Sequence, residues 1–166
     1  MRNAAADTRT GEFLNQKFEL RELLESSEVH DTYRALDRTN ASEVKVRLLR
    51  PEFALQSTVV QRFVRAPKTV AGWKHPNVAQ VFSVESDETG IPYVVEEYLQ
   101  GETLAHMLQN FPGGMPLGVA MAVVSPVLEA MAAAHKRGII HGRLDSEHVL
   151  IAKVGSGSVP KVIAFG

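Results

Sequence analysis

The segment from Leu117 to Arg137 constrains this chain more than any other. It is the longest apolar stretch, and as a helix it places Val119, Val123, Val124, Val127, Leu128 and Met131 around more than one side. Such a helix is stable only when something covers each apolar side. Ser125, Pro126, Glu129 and a high alanine content set it apart from a membrane span, which needs about 20 strongly apolar residues. The segment therefore reads as the buried helix of a soluble domain. Lys136 and Arg137 suit the negative end of the helix dipole, and Gly138 marks its close. Pro126 predicts a bend.

The rest of the composition is that of an ordinary globular protein. The chain has 166 residues, enough for one domain or two small lobes with a real core. Its formal net charge of −1 supplies no global field to recruit nucleic acid or an anionic membrane. The absence of cysteine excludes disulfides, zinc–thiolate sites and thiol catalysis. Residues 1–10 lack the apolar core of a signal peptide, and residues 1–16 are expected to form a disordered lead to a cytoplasmic protein.

Strand signals dominate the first half. Phe18 to Leu24 and Asp31 to Leu36 flank the turn Glu25-Ser-Ser-Glu-Val-His30. From Glu43 to Leu49, Val44, Val46 and Leu48 alternate with Lys45 and Arg47, the pattern of a half-buried strand. Pro51 ends it. Ser57 to Trp73 has helical spacing, with Pro67 expected to shorten or kink it. Val78 to Glu85 and Tyr93 to Glu97 are strand-like around the turn Asp87-Glu-Thr-Gly90. A short helix is expected from Gly101 to Gln109, and short strands at Ile139–Ile140, Val149–Ile151 and Val159–Ile163.

Several motifs fall in order along these elements. They are Tyr33-Arg-Ala-Leu-Asp37, Val44-Lys-Val-Arg-Leu-Leu-Arg-Pro51, His75-Pro-Asn-Val78, Pro92-Tyr-Val-Val-Glu-Glu-Tyr98 and Gly101-Glu-Thr-Leu104. Gly138-Ile-Ile-His-Gly-Arg-Leu-Asp-Ser-Glu-His148 and Val162-Ile-Ala-Phe-Gly166 complete the series. Together they resemble the bacterial serine/threonine protein-kinase domain, from about Phe18 to Gly166. The resemblance implies an α+β fold. It consists of a kinase-like N-lobe, residues 17–98, with a five-stranded antiparallel sheet and one helix. A hinge and a truncated, mainly helical C-lobe follow at residues 99–166.

The departures from the family pattern cluster on its chemistry. At the catalytic loop the base Asp corresponds to Arg143, the Lys to Asp145 and the Asn to His148. The Asp of the magnesium motif corresponds to Ala164. The glycine positions of the phosphate loop hold Glu25, Ser27 and His30, with Glu28 at a fourth. The strand Lys is Arg47, the small residue two before it is Lys45, and the helix Glu that pairs with the strand Lys is Ala66. Glu96 stands at the back of the adenine pocket. His141 is expected to pack its ring on Phe165. One imidazole and one carboxylate, His148 and Asp145, are too few for a transition-metal site.

These substitutions predict a pseudokinase that is not an enzyme: no catalytic residues, no metal, and no cofactor. Its vestigial pocket comprises Arg47, Lys45, Glu96, Glu97 and Leu99, with Glu96 the expected partner of Arg47 ahead of Glu25 and Glu28. The expected role is a protein-binding or regulatory module in signalling. A metal-independent ATP binder or weak serine/threonine kinase is one alternative, and a non-functional kinase fragment another. The expected partner is a protein, or a second copy, on the Leu117–Arg137 helix, with neither nucleic acid nor membrane involved.

Overall fold

The computed structural model describes residues 9–165. The chain divides into two compact units. One holds the described residues up to Lys68 together with Val81–Tyr98. The other holds Thr69–Gln80 and the described residues from Leu99 onward. The first eight residues of the expected disordered lead lie outside the described residues. The remainder of that lead is not featureless. Phe13–Leu14 forms a two-residue strand, β1, paired with Phe18–Glu19, because Leu14 fits into the core and is almost fully buried.

The first unit is an antiparallel sheet in the order β1-β2-β3-β4-β6-β5. Its strands are β2 (Phe18–Ser26), β3 (His30–Asp37), β4 (Ser42–Leu49), β5 (Val81–Ser86) and β6 (Pro92–Glu97). The five expected strands are all present, and β1 is a sixth at the edge. Alternation decides which face is core. Val44, Val46 and Leu48 of β4 are buried with Phe18, Leu20, Tyr33, Ala35 and Val95. Lys45 and Arg47 necessarily point to the opposite face.

Helix α1 spans Ser57–Val70 and runs through Pro67 rather than breaking there. It ends three residues short of the expected Trp73, at the turn containing Gly72 with φ of 75°. The strand expected from Val78 begins only at Val81. The reason is a competing partner. The N–H of Ala79 donates to the carbonyl of Val162, the N–H of Val162 donates to the carbonyl of Asn77, and the Asn77 amide donates to the carbonyl of Pro160. These bonds draw residues 77–79 into the second unit.

The second unit contains a three-stranded sheet of β7 (Gly101–Thr103), β8 (Val149–Val154) and β9 (Gly157–Val162). Gly101 is required at its position, since a Cβ there would run into the Ile151 carbonyl. Thr103 caps α2 (Leu104–Leu108) by accepting from the N–H of His106. Ile139–Ile140 is not a strand: Ile139 is buried just past the helix end, Ile140 is exposed, and among the described residues no strand pairs with them.

Helix α3 (Leu117–Lys136) continues through Pro126. Val123, Val127, Ala130, Met131 and Ala134 form its buried stripe, and it packs against β9. By length and composition α3 is also the one helix among the described residues that could cross a membrane, at a mean hydropathy of 1.8. Within the second unit 28% of that apolar window is buried, in the stripe that includes Val123 and Val127.

Candidate functional site

Strand register builds the first group of site residues. Lys45 on β4 lies directly opposite Glu96 on β6, and Arg47 lies opposite Val94. Residues two apart share a face, so Lys45, Arg47 and Glu96 must converge. Nζ of Lys45 is 2.8 Å from Oε2 of Glu96, and an Nη of Arg47 is 2.7 Å from Oε1. Each carboxylate oxygen therefore has its own cation. Burial pushes the Glu96 carboxyl up. The charges and hydrogen bonds of Lys45 and Arg47 outweigh burial and hold it below its ordinary value. The expected pairing of Arg47 with Glu96 is thus present, and Lys45 completes a triad. Nε of Arg47 is buried without an acceptor.

The turn between β2 and β3 closes on itself. Ser27 Oγ accepts from the N–H groups of Val29 and His30 and sits 2.8 Å from the His30 carbonyl. The Ser27 N–H also donates to that carbonyl. None of residues 25–30 adopts a positive φ. A phosphate-cradling loop presents unpaired amides to its ligand. Here the amides of Val29 and His30 are already taken by a side chain. Burial, and then the charge of Arg47, lower the pKa of His30, so its ring is neutral at physiological pH. The ring stacks on Phe63 of α1, one turn before Ala66.

The second group lies within the other unit. His141 is buried, with its Nε2 2.9 Å from the Ile163 carbonyl and its Nδ1 accepting from the Arg143 N–H. These two bonds fix the tautomer, with the proton on Nε2. The His141 ring lies 4.7 Å from that of Phe165, the packing expected of it. Trp73 also packs edge-on to Phe165, with ring centroids 5.9 Å apart, a contact that the sequence reading missed. The signal for it was present: a lone tryptophan beside His75-Pro-Asn77, the segment that joins β9.

Asp145 and His148 are brought together at 2.6 Å. Arg143 is exposed, and its side chain takes no part in that pair. Ala164 adopts a left-handed conformation with φ of 55°, which a residue with a Cβ occupies at a cost of roughly 1 kcal/mol. Glu97 closes β6 opposite Val44, and Leu99 belongs to the following unit.

A family profile described as "Protein tyrosine and serine/threonine kinase" matches residues 24–166. The chain belongs to the protein kinase family. A probable serine/threonine-protein kinase of Clostridium perfringens is 31% identical over 156 residues, covering 94% of this chain and 22% of that protein. The serine/threonine-protein kinase PknB of Mycobacterium tuberculosis is 28% identical, covering 95% of this chain and 25% of its own length. The chain thus spans about a quarter of the length of the curated relatives it matches. The PknI kinase domain of Mycobacterium tuberculosis superimposes with a TM-score of 0.75 at 22% identity, covering 94% of this chain and 62% of that domain.

Membership corrects one expectation. The substituted positions suggested a chain that is not an enzyme, yet the relatives are named serine/threonine-protein kinases and the family is one of enzymes. Loss of single side chains at Arg143, His148 and Ala164 leaves the backbone frame of the family intact, and that frame is what assigns the chain.

Kinases of this family work with ATP and magnesium, and the residues present do not match the metal's needs. Magnesium requires hard oxygen donors in near-octahedral array. Position 164 offers a methyl group, and position 148 an imidazole whose Nδ1 is bonded to Asp145. Among the described residues no three His, Asp or Glu side chains converge on a point.

Proposed function

We propose that this kinase-family chain acts as a protein-binding, regulatory domain in bacterial signalling, with α3 as its partner surface. One observation carries the reading. Leu117, Met121, Val124 and Leu128 are exposed, at 78% for Leu117 and 62% for Leu128. They follow one another at spacings of four, three and four along α3, the a/d rhythm of paired helices. An adjacent stripe of the same helix, about a quarter-turn round, is already buried. An apolar seam of this kind takes another protein surface, and a second copy of the chain is the simplest source. The net charge of −1 gives nucleic acid no global attraction.

The Lys45–Glu96–Arg47 triad supports weak binding of nucleotide. On the family pattern these side chains face the adenine and phosphates, and here they satisfy one another. A ligand entering among them has to break a buried ion pair.

Sedimentation of the purified chain tests the surface. Association at micromolar concentration that Val124→Glu and Leu128→Glu abolish, with circular dichroism unchanged, is the expected result. A monomer indifferent to both substitutions rejects it.

A second reading rests on the excess charge. The triad holds two cations and one carboxylate, and the buried Nε of Arg47 lacks an acceptor. Both features suit a metal-independent nucleotide binder. Thermal shift with ATP, with and without magnesium, separates the readings. A metal-insensitive stabilisation lost in Arg47→Ala favours the nucleotide.

A further inference from the structure

Asp145 and His148 form a carboxylate–imidazole pair that neither reading above uses. Oδ1 of Asp145 lies 2.6 Å from Nδ1 of His148. The same oxygen accepts from the backbone N–H of Glu147 at 2.9 Å and of His148 at 3.2 Å. Three donors on one oxygen fix the carboxylate at the start of a short helical turn, Ser146–His148. The hydrogen bond from His148 holds the Asp145 carboxyl below its ordinary value, so it is ionised at neutral pH. An ionised carboxylate only accepts. Nδ1 of His148 therefore carries the ring's proton, and Nε2 holds the free lone pair.

That second nitrogen is available. Among the described residues Nε2 of His148 has no hydrogen-bond partner, and it is not among the enclosed atoms left without one. The ring is otherwise held still, since the side chain is only 19% exposed and packs edge-on to His141 at 5.6 Å. His141 does not compete for a reagent, because both of its nitrogens are engaged. An accessible nitrogen on a ring oriented by a fixed carboxylate is the arrangement of an activated nucleophile.

We propose that His148 is a phosphoryl-acceptor site, whose Nε2 attacks the phosphorus of a small donor of the phosphoramidate or acyl-phosphate class. The lone pair of Nε2 forms the new N–P bond. The bond from phosphorus to the leaving group breaks, and its electron pair departs with ammonia or with the carboxylate. Nδ1 keeps its proton throughout. The phosphorylated ring is cationic, and its charge rests against Asp145. Arg143, exposed on the same loop, is a cation available to the added phosphate. The modification places a dianion on this loop, a charge change of the kind that switches kinase-fold surfaces.

The molecule contains its own control. His106 is also paired through Nδ1 with a carboxylate, Glu102, at 2.6 Å. That ring is 66% exposed, and among the described residues no backbone N–H is bonded to its carboxylate. It carries the same pair without the rigid support.

The test is incubation of the full chain with potassium phosphoramidate at neutral pH. Phosphorus NMR and alkaline peptide mass spectrometry then locate the acid-labile phosphohistidine. His148 is expected to be labelled first, and His148→Gln to abolish that signal. Asp145→Asn keeps the oxygen that caps the turn but loses the charge. It should slow labelling of His148 about tenfold, the equivalent of one charge-assisted hydrogen bond. Labelling of His148 no faster than His106, or undiminished in Asp145→Asn, overturns the proposal. Should Asp145→Asn fail to fold, the comparison of His148 with His106 in the unaltered chain decides alone.

Discussion

Two regions depart from the family pattern, and they have resolved the departure in opposite ways. On the sheet, Lys45, Arg47 and Glu96 meet as one set, each carboxylate oxygen holding its own cation. On the loop at residues 141–148, Asp145 and His148 meet as a pair that leaves one ring nitrogen without a partner. The contrast follows from geometry. An antiparallel register fixes which residues face each other, so new charges on one face find partners two positions apart. A loop has no such lattice, and here the charged pair forms between residues three apart in sequence.

The largest expected effect breaks the set on the sheet. Glu96→Ala leaves two half-buried cations without their shared carboxylate, and should destabilise the first unit by about 3 kcal/mol in urea denaturation. The pH dependence has a definite sign. The folded Glu96 carboxyl lies below its unfolded value near 4.5. Its stabilisation is therefore fully present above that value and is lost as pH falls through the folded one. In Glu96→Ala this acid limb should flatten. An unchanged midpoint and slope would show that water already screens the triad.

The aromatic stack of the second unit comes next. His141 is buried, and burial holds its ring below the ordinary imidazole value of 6.5. Protonation then favours the unfolded chain, so stability is complete above 6.5 and declines as pH drops through the folded value. Phe165→Ala removes the ring that His141 and Trp73 share, at a cost of about 3 kcal/mol. A shallower decline between pH 7 and 5 in His141→Gln, roughly the imidazole range, ties that part of the slope to His141, the remainder including the share of His30.

Arg47→Met ranks third. Glu96 keeps Lys45, so the expected loss is about 1–2 kcal/mol, smaller than for removal of the shared carboxylate. A double substitution of Lys45 and Arg47 should cost less than the two singles combined if the triad is one unit.

Much of this was legible in the sequence because apolar alternation and short motifs specify the frame. The strands around Val44–Val46–Leu48, the partner of Arg47, and the packing of His141 on Phe165 could each be read from spacing or family pattern. The start of β5 could not, because Asn77 and Ala79 bond to β9 more than eighty residues later, at 83 for Asn77 and Pro160. Nor could the tie between Asp145 and His148 as a directed pair, which depends on the turn that aims the carboxylate. Ile139–Ile140 failed for a related reason: an apolar dipeptide becomes a strand only if a neighbour is there to bond it.

The smallest effect sharpens the comparison most. Ser27 binds the amides of Val29 and His30 through one hydroxyl. Ser27→Gly removes that acceptor and adds backbone freedom, at about 1 kcal/mol. It also frees two N–H groups at the turn where the family presents glycine amides to phosphate. If the turn is what keeps anions out, Ser27→Gly should bind pyrophosphate measurably more tightly than the unaltered chain in calorimetry. The gain should persist in Asp145→Asn. If affinity does not change, exclusion resides in the triad instead, and combining Ser27→Gly with Glu96→Gln should then restore binding that neither change produces alone.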